Sequence, residues 1–295
     1  MITVLLNPVA GLKHDEALPG RLSELFAKAG SSVRIVLLGV GADAEETVRS
    51  AVQTGAAAVV AAGGDGTVRS VVAGLVGSHT PLGVLPLGTL NHFAKDLGIP
   101  LDLELAVEAI VAMHQRSVDV GTVNDRVFVN NSSIGIYPDI VAAREELRRQ
   151  GHRKWAAFGL ATARILRQYR GVRVRLEAGP LTETAVTPFL FVGNNEYQIE
   201  GMRLGSRLRL DAGRLYAYLA PRLRGPDLPK LLALALAGRI VENHVLESFA
   251  TRDLEVETPV LRAIRVALDG EVTSMTVPLR YRILPRALNV IVPAF

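Results

Sequence analysis

"VVAAGGDGTVRSVV", residues 59–72, sets an apolar run against two glycines, an aspartate, a third glycine and a threonine. The run "AAVVAAGG" (57–64) reads as a buried strand, and the spacing over 67–76 reads as a helix. Glycines at such a junction let backbone N–H groups approach an anion, and the helix N-terminus adds partial positive charge. Gly63, Gly64 and Gly66 therefore read as a phosphate cradle, with Thr67 as helix cap and oxygen ligand. Asp65 does not fit a bare phosphate site, because a carboxylate repels the phosphate. It fits if it faces Mg²⁺ or the group that receives the phosphoryl unit. The alternative is a tight strand-to-helix turn with an exposed aspartate. The dinucleotide pattern G-x-G-x-x-G is not met, which weighs against hydride chemistry.

Outward from this turn, "ITVLLN" (2–7), "VRIVLL" (33–38) and "LGVLPLG" (82–88) are further apolar runs. Amphipathic segments near 17–29, 43–54, 67–76 and 102–114 alternate with them. Strand-then-helix alternation implies a parallel sheet covered by helices, whose ligands bind beyond the carboxyl ends of the strands. "NPVAG", "GGDGT" and "PLGTLN" follow strands directly, so three loops are expected at one sheet edge. After Gly121 the texture changes. "VRVRLEA" (172–178), "PFLFVGNN" (188–195), "RLYAYLAP" (214–221), "DLEVETP" (253–259), "AIRVALDGE" (263–271) and "VPLRYRIL" (277–284) are short and often alternate. They predict an antiparallel β-rich domain, with one helix near 227–241. The expected division is an α/β domain over 1–121, completed by 285–295, and a β-sandwich over 122–284.

Composition narrows the function. The 295 residues are 49% hydrophobic and 21% charged, as in a folded soluble protein. With no cysteine there is no disulfide frame, thiolate nucleophile or cysteine metal site. "MITVLLNPVAG" has no cation before its apolar stretch, so no signal peptide is expected. Runs such as "LLALALAG" (231–238) are too short to span a bilayer. These features suit a cytoplasmic protein. The net charge is +4, yet residues 144–175 hold ten Lys/Arg and two Glu. Within them, "RKWAAFGLATARILRQYRG" (153–171) places Trp155, Phe158, Thr162, Ile165, Leu166 and Tyr169 on one helical arc, with Arg153, Lys154, Arg164, Arg167 and Arg170 around the rest. That is the composition of an interfacial helix, and it predicts peripheral contact with the inner face of a membrane. A helix packed by its apolar face gives the same pattern. No known nucleic-acid-binding module is recognised in the sequence, so no nucleic-acid partner is expected.

"NPVAG" (7–11), "GGDGT" (63–67), "PLGTLNHFAKDLGIP" (86–100) and "LDGE" (268–271), in this order and spacing, resemble the diacylglycerol kinase catalytic family. The likeness is to its soluble bacterial lipid kinases, relatives of sphingosine kinases and, more distantly, NAD kinases, and it covers nearly the whole chain. It implies a nucleotide-binding α/β domain, a β-sandwich, and ATP with Mg²⁺ in the cleft between them. Carried over, it sets Asn7, Pro8, Ala10 and Gly11 around the nucleotide, and Gly63, Gly64, Asp65, Gly66 and Thr67 along the phosphates. Gly88, Thr89 and Asn91 close the third loop of that site. Asp119 and Asp211 resemble acidic positions that join Asp65 in a water and Mg²⁺ network, and Asp269 and Glu271 resemble the pair that activates the acceptor hydroxyl. Leu38 stands where a threonine is common, Arg69 and Ser70 replace a frequent Asn and Glu, and "GTLNHF" replaces "GTxNDF".

The residues support that chemistry directly. Phosphoryl transfer needs positioning and charge neutralisation, and a lipid alcohol needs a carboxylate base. Lys13 is a nearby candidate cation, and His92 is either a helix residue or a phosphate donor. The expectation is an ATP- and Mg²⁺-dependent lipid kinase acting at a membrane surface. A kinase of a soluble alcohol, such as an NAD kinase, is the alternative hinted at by "GNNEY" (193–197). A non-catalytic lipid-binding regulator is disfavoured because every acidic residue is present.

Overall fold

The computed structural model describes residues 1–8, 16–39, 43–140, 171–198, 205–220, 227, 247–259 and 261–294. Ala10, Gly11, Lys13, nearly all of the basic stretch 144–175 and the expected helix near 227–241 lie outside these residues. The chain forms two compact units. One comprises Met1–Val120, Leu210–Ala212 and Leu284–Phe295; the other comprises Gly121–Arg209 and Gly213–Ile283.

In the first unit, strands β1 (Ile2–Leu6), β2 (Val33–Leu37), β3 (Ala58–Gly63) and β4 (Leu82–Pro86) alternate with helices α1 (Leu18–Lys28), α2 (Ala44–Gln53) and α3 (Asp65–Leu75). Two more helices follow, α4 (His92–Asp96) and α5 (Leu103–Ala112). The strands pair in parallel in the order β2-β1-β3-β4, and the chain's last strand adds beside β4 through Val290 and Leu82. β1, β3 and β4 are buried along their whole length, which is why they read as unbroken apolar runs rather than alternating ones. Right-handed crossovers from β1 leftward to β2, and from β2 rightward to β3 and β4, put α1 on one face and α2 and α3 on the other. α1 accordingly packs with α5, and α2 with α3. The strand order reverses at β1 and β3, so the carboxyl ends of those two strands mark the ligand crevice of this architecture.

The second unit is an antiparallel sandwich, as the alternating segments predict. Strand β5 (Gln115–Val123) belongs to the first unit up to Val120; its end, Gly121–Val123, forms a hairpin with β6 (Arg126–Phe128), and β7 (Asn131–Gly135) follows. Then come β8 (Val172–Ala178), β9 (Leu181–Thr187), β10 (Phe189–Asn194) and β11 (Leu215–Leu219). The last strands are β12 (Glu247–Thr251), β13 (Asp253–Glu257), β14 (Ala263–Leu268), β15 (Glu271–Thr276) and β16 (Leu279–Ile291). One sheet runs β12-β11-β10-β7-β14-β15. The other contains β9, β8, β13 and the first part of β16. Their inner faces share one core: Val174, Leu176, Val256 and Tyr281 from one sheet, with Ile134, Leu190, Val192, Leu215 and Val266 from the other. β9 ("LTETAVT") and β12 ("ESFAT") carry too few apolar residues to announce themselves, because only alternate positions turn inward.

Candidate active site

The glycine turn sits where the strand order reverses. The Asn7 N–H, just past β1, donates to the Ala62 carbonyl at 3.1 Å, and its side-chain Nδ2 donates to Thr67 Oγ1 at 3.1 Å. Gly64 has extended backbone (φ −93°, ψ −173°) and occupies the N-cap of α3 without a side chain to cap it. The helix thus begins at Asp65, and Thr67 lies inside its first turn rather than at the cap. A Cβ on Gly63 would fall 2.6 Å from Thr67 Cβ. A Cβ on Gly88 would strike the Gly64 Cα and come within 2.8 Å of Asn91 Oδ1, so two loop backbones press together here with no room for a methyl.

Asn91 holds the third loop in shape. It is buried, adopts a left-handed conformation (φ 51°) and accepts from the Gly88 N–H at 3.0 Å. Its Nδ2 donates to the carbonyls of Gly88 at 2.8 Å and Pro86 at 3.3 Å. Asp65 explains itself through this loop: its two carboxylate oxygens accept from the N–H groups of His92 (3.2 Å) and Phe93 (3.1 Å). The carboxylate therefore caps α4 and ties the glycine turn to the third loop. His92 is exposed and takes part in this cap through its N–H. Pro8 is half-buried after Asn7, Gly66 is half-buried in the α3 first turn, and Thr89 is exposed.

The other two acidic positions of this unit serve its far segments. Asp119 is 1% exposed, its carboxylate accepts from the Arg286 N–H at 2.8 Å, and its own N–H donates to the Leu210 carbonyl at 2.7 Å. Asp211 lies 3.6 Å from the Arg116 guanidinium. Among the described residues no three His, Asp or Glu side chains converge on a metal-sized site.

In the second unit, the "LDGE" segment is the turn of the β14–β15 hairpin, with Asp269 at φ 48° and Gly270 at φ 89°. Asp269 Oδ2 accepts from the Val129 N–H at 2.9 Å, and Oδ1 accepts from Asn130 at 2.8 Å and Asn131 at 3.0 Å. The Asp269 N–H donates back to the Asn131 carbonyl at 2.9 Å. Three of roughly four acceptor sites on this carboxylate are thus taken by the main chain. Glu271 is exposed at the start of β15. The turn brings the two acids together in sequence and gives them different surroundings.

Sequence reasoning missed the polar cluster behind this turn. Asn130, Asn194 and Asn195 are buried, and so is Arg207, which is 4% exposed. Asn194 donates from Nδ2 to the Val129 carbonyl and from its N–H to Asn130, both at 2.9 Å. Gly193 belongs to the same fit, since a Cβ there would meet the Tyr197 ring at 2.8 Å. The doubled asparagines in "VNNSS" and "GNNEY" were the available signal: amides in otherwise apolar strands need partners.

Comparison with known proteins agrees with both units. Residues 1–123 match the diacylglycerol kinase catalytic domain, and residues 133–292 match the YegS C-terminal NAD kinase beta sandwich-like domain. The "probable lipid kinase YegS-like" of Chromohalobacter salexigens is 31% identical over 275 residues, covering 91% of this chain and 85% of that one. The chain belongs to the diacylglycerol kinase family of lipid kinases. The diacylglycerol kinase of Bacillus subtilis (strain 168) is 26% identical over 300 residues, covering 98% of this chain and 95% of the relative. A solved structure from Bacillus anthracis str. Sterne superimposes with a TM-score of 0.75 over 99% of this chain and 96% of its own, at 21% identity, a likeness of fold. The family's kinase activity and two-part architecture are those expected from the four motifs. Among the described residues, no helix is long and apolar enough to cross a membrane.

Proposed function

We propose that this kinase transfers the γ-phosphoryl group of ATP, with Mg²⁺, to the hydroxyl of a diacylglycerol-like or related lipid. The observation that carries the reading is the uncapped start of α3 at the glycine turn, wedged against Gly88 so tightly that no Cβ fits. Backbone amides at a helix N-terminus, unobstructed by side chains, suit a polyphosphate. Bound Mg²⁺–ATP supplies the phosphoryl group and neutralises the charge that spreads over its oxygens. The chain's own part is to orient that group through Gly63–Thr67 and Gly88–Asn91, with Asp65 keeping the loops in register. In the second unit Asp269 accepts from three main-chain amides, and the exposed Glu271 two residues on accepts the proton of the attacking hydroxyl. The bond from the γ-phosphorus to the leaving ADP oxygen breaks as the bond to the lipid oxygen forms, and the hydroxyl proton passes to Glu271.

The test is incubation of the purified protein with ATP, Mg²⁺ and a fractionated lipid extract, reading phosphorylated lipids by mass spectrometry. A gain of phosphate in one lipid class is expected. Conversion of NAD to NADP without any lipid product would replace the lipid reading with the soluble-alcohol one. The same assay on anionic vesicles at low and moderate salt tests a lipid surface as partner; Arg164 and Arg167 are the residues to reverse, with lower vesicle binding and unchanged ATP affinity expected.

A further inference from the structure

We propose that Arg207 is a positioning residue for the acceptor carboxylates, acting through the single peptide group that joins Val129 to Asn130. The inference rests on the reading of Glu271 as base. Arg207 Nη1 donates to the Val129 carbonyl at 2.7 Å and the Asn194 carbonyl at 2.9 Å, and Nη2 donates to Asn130 Oδ1 at 2.7 Å. The other end of the Val129–Asn130 peptide, the Asn130 N–H, donates to Asp269 Oδ1 at 2.8 Å. A cation thus binds the negative end of one peptide dipole while a carboxylate binds its positive end. Both bonds are charge-assisted and polarise the peptide in the same sense, so each strengthens the other.

The neighbouring groups leave this segment little freedom. Asn194 holds the carbonyls of Val129 and Asn130, and Asp269 takes the N–H groups of Val129 and Asn131 as well. The Arg207 guanidinium also lies 5.4 Å from the centre of the Tyr197 ring. Burying a guanidinium costs free energy that apolar filling would avoid, and stability alone is a weak reason to keep one. Here it orients the Val129–Asn131 strand entry, which fixes Asp269 and hence the turn presenting Glu271 two residues later. Lysine cannot replace it, because one ammonium lacks the planar fork that reaches two carbonyls and an amide oxygen at once.

The experiment uses the full chain, with dioleoylglycerol in mixed micelles as acceptor. Arg207→Lys, Asn130→Ala, Glu271→Gln and the Arg207→Lys/Glu271→Gln double variant are compared by kcat, by equilibrium ATP affinity and by melting temperature. Arg207→Lys is expected to lower kcat by about 10- to 100-fold with ATP affinity unchanged. The double variant is expected to be no slower than Glu271→Gln, because positioning an absent base has no value. Multiplying losses in the double variant, or wild-type kcat in a folded Arg207→Lys, would overturn the proposal. If Arg207→Lys does not fold, Asn130→Ala decides: it keeps the guanidinium and loses the Nη2 partner, and kcat should drop about 3- to 10-fold. Wild-type kcat there overturns the proposal too. Full turnover in Glu271→Gln instead sinks the base assignment, whereas an inert Glu271→Gln beside a normal Arg207→Lys sinks only the positioning role.

Discussion

The glycine turn of the first unit and the acidic turn of the second solve opposite problems. At Gly63–Thr67 and Gly88 the fold removes side chains so that backbone can approach backbone and leave amides at the helix start. At Asp269–Glu271 it adds side chains, surrounding one carboxylate with main-chain donors and leaving its neighbour exposed. The first is a local device written in consecutive residues. The second depends on residues more than a hundred positions away. Lesions in the two should therefore separate binding from chemistry.

The largest effect is expected at the second turn. Glu271→Gln should lower turnover by about 10²- to 10⁴-fold while ATP still binds, since a general base acts in the transition state. Asp269→Asn should lower turnover too, but with a second signature. Its amide would aim NH₂ at N–H donors, and leaving such groups unsatisfied costs about 1–3 kcal/mol of stability. Calorimetry on both variants, beside their rates, distinguishes the roles: Glu271→Gln melts normally and Asp269→Asn does not. Equal stability loss in both would erase the distinction between the acids.

Gly88→Ala comes next and tests the first turn. The new methyl meets backbone on the facing loop, which has no rotamer to yield, so overpacking of about 1–3 kcal/mol is expected with loss of ATP binding. Thermal melts with and without ATP check it; ATP-induced stabilisation that survives the substitution would show that nucleotide does not use this junction.

That contrast also governs what the sequence makes legible. The parallel sheet was readable because β1, β3 and β4 are buried on both faces and appear as plain apolar runs. The glycine turn between β3 and α3 was readable because its logic is local. Asp65 was visible but its partners were not: the amides of His92 and Phe93 lie 27 and 28 residues on, and α4 is a single short turn that no periodicity announces. Likewise Leu210–Ala212 joins the first unit through contacts distant in sequence, among them Asp119 N–H to the Leu210 carbonyl and Asp211 beside Arg116, which no spacing reveals. Nothing in the sequence distinguishes Arg207 from the chain's other arginines. Burial, not identity, sets it apart.

Asp65→Asn should have a smaller effect than either. Losing a carboxylate that caps two amides costs about 1 kcal/mol, as for other helix caps. Melting temperature and ATP affinity should both fall modestly, because the cap ties together the two loops proposed to hold the nucleotide. A Mg²⁺ titration of the rate, run alongside, detects a metal contact: a higher concentration for half-maximal rate marks the ion at this carboxylate, and an unmoved midpoint leaves Asp65 with the cap alone.

The smallest effect separates the units by pH. All six tyrosines lie in the second unit's span, and the first unit has none. Burial pushes the Tyr218 phenol up to about 12, although the hydrogen bond from the Tyr197 N–H lowers it in part. Burial also raises the Tyr281 phenol, whose hydroxyl meets Ser132 at 3.1 Å in the sandwich core. A group whose folded pKa is raised binds its proton more tightly when folded. Its stabilisation is complete below the ordinary tyrosine value near 10 and is lost as pH climbs toward about 12. Alkali between those values should therefore weaken the sandwich and spare the α/β unit. Thermal melts at pH 8 and pH 11, followed by tyrosine absorbance and by ATP-dependent stabilisation, read the two units separately. In Tyr218→Phe the alkaline loss should shrink, at a cost of about 1 kcal/mol at neutral pH because the Tyr197 N–H loses its acceptor. An equal alkaline decline in ATP-dependent stabilisation and in the tyrosine signal would mean that the units melt as one, and that the two turns cannot be perturbed independently.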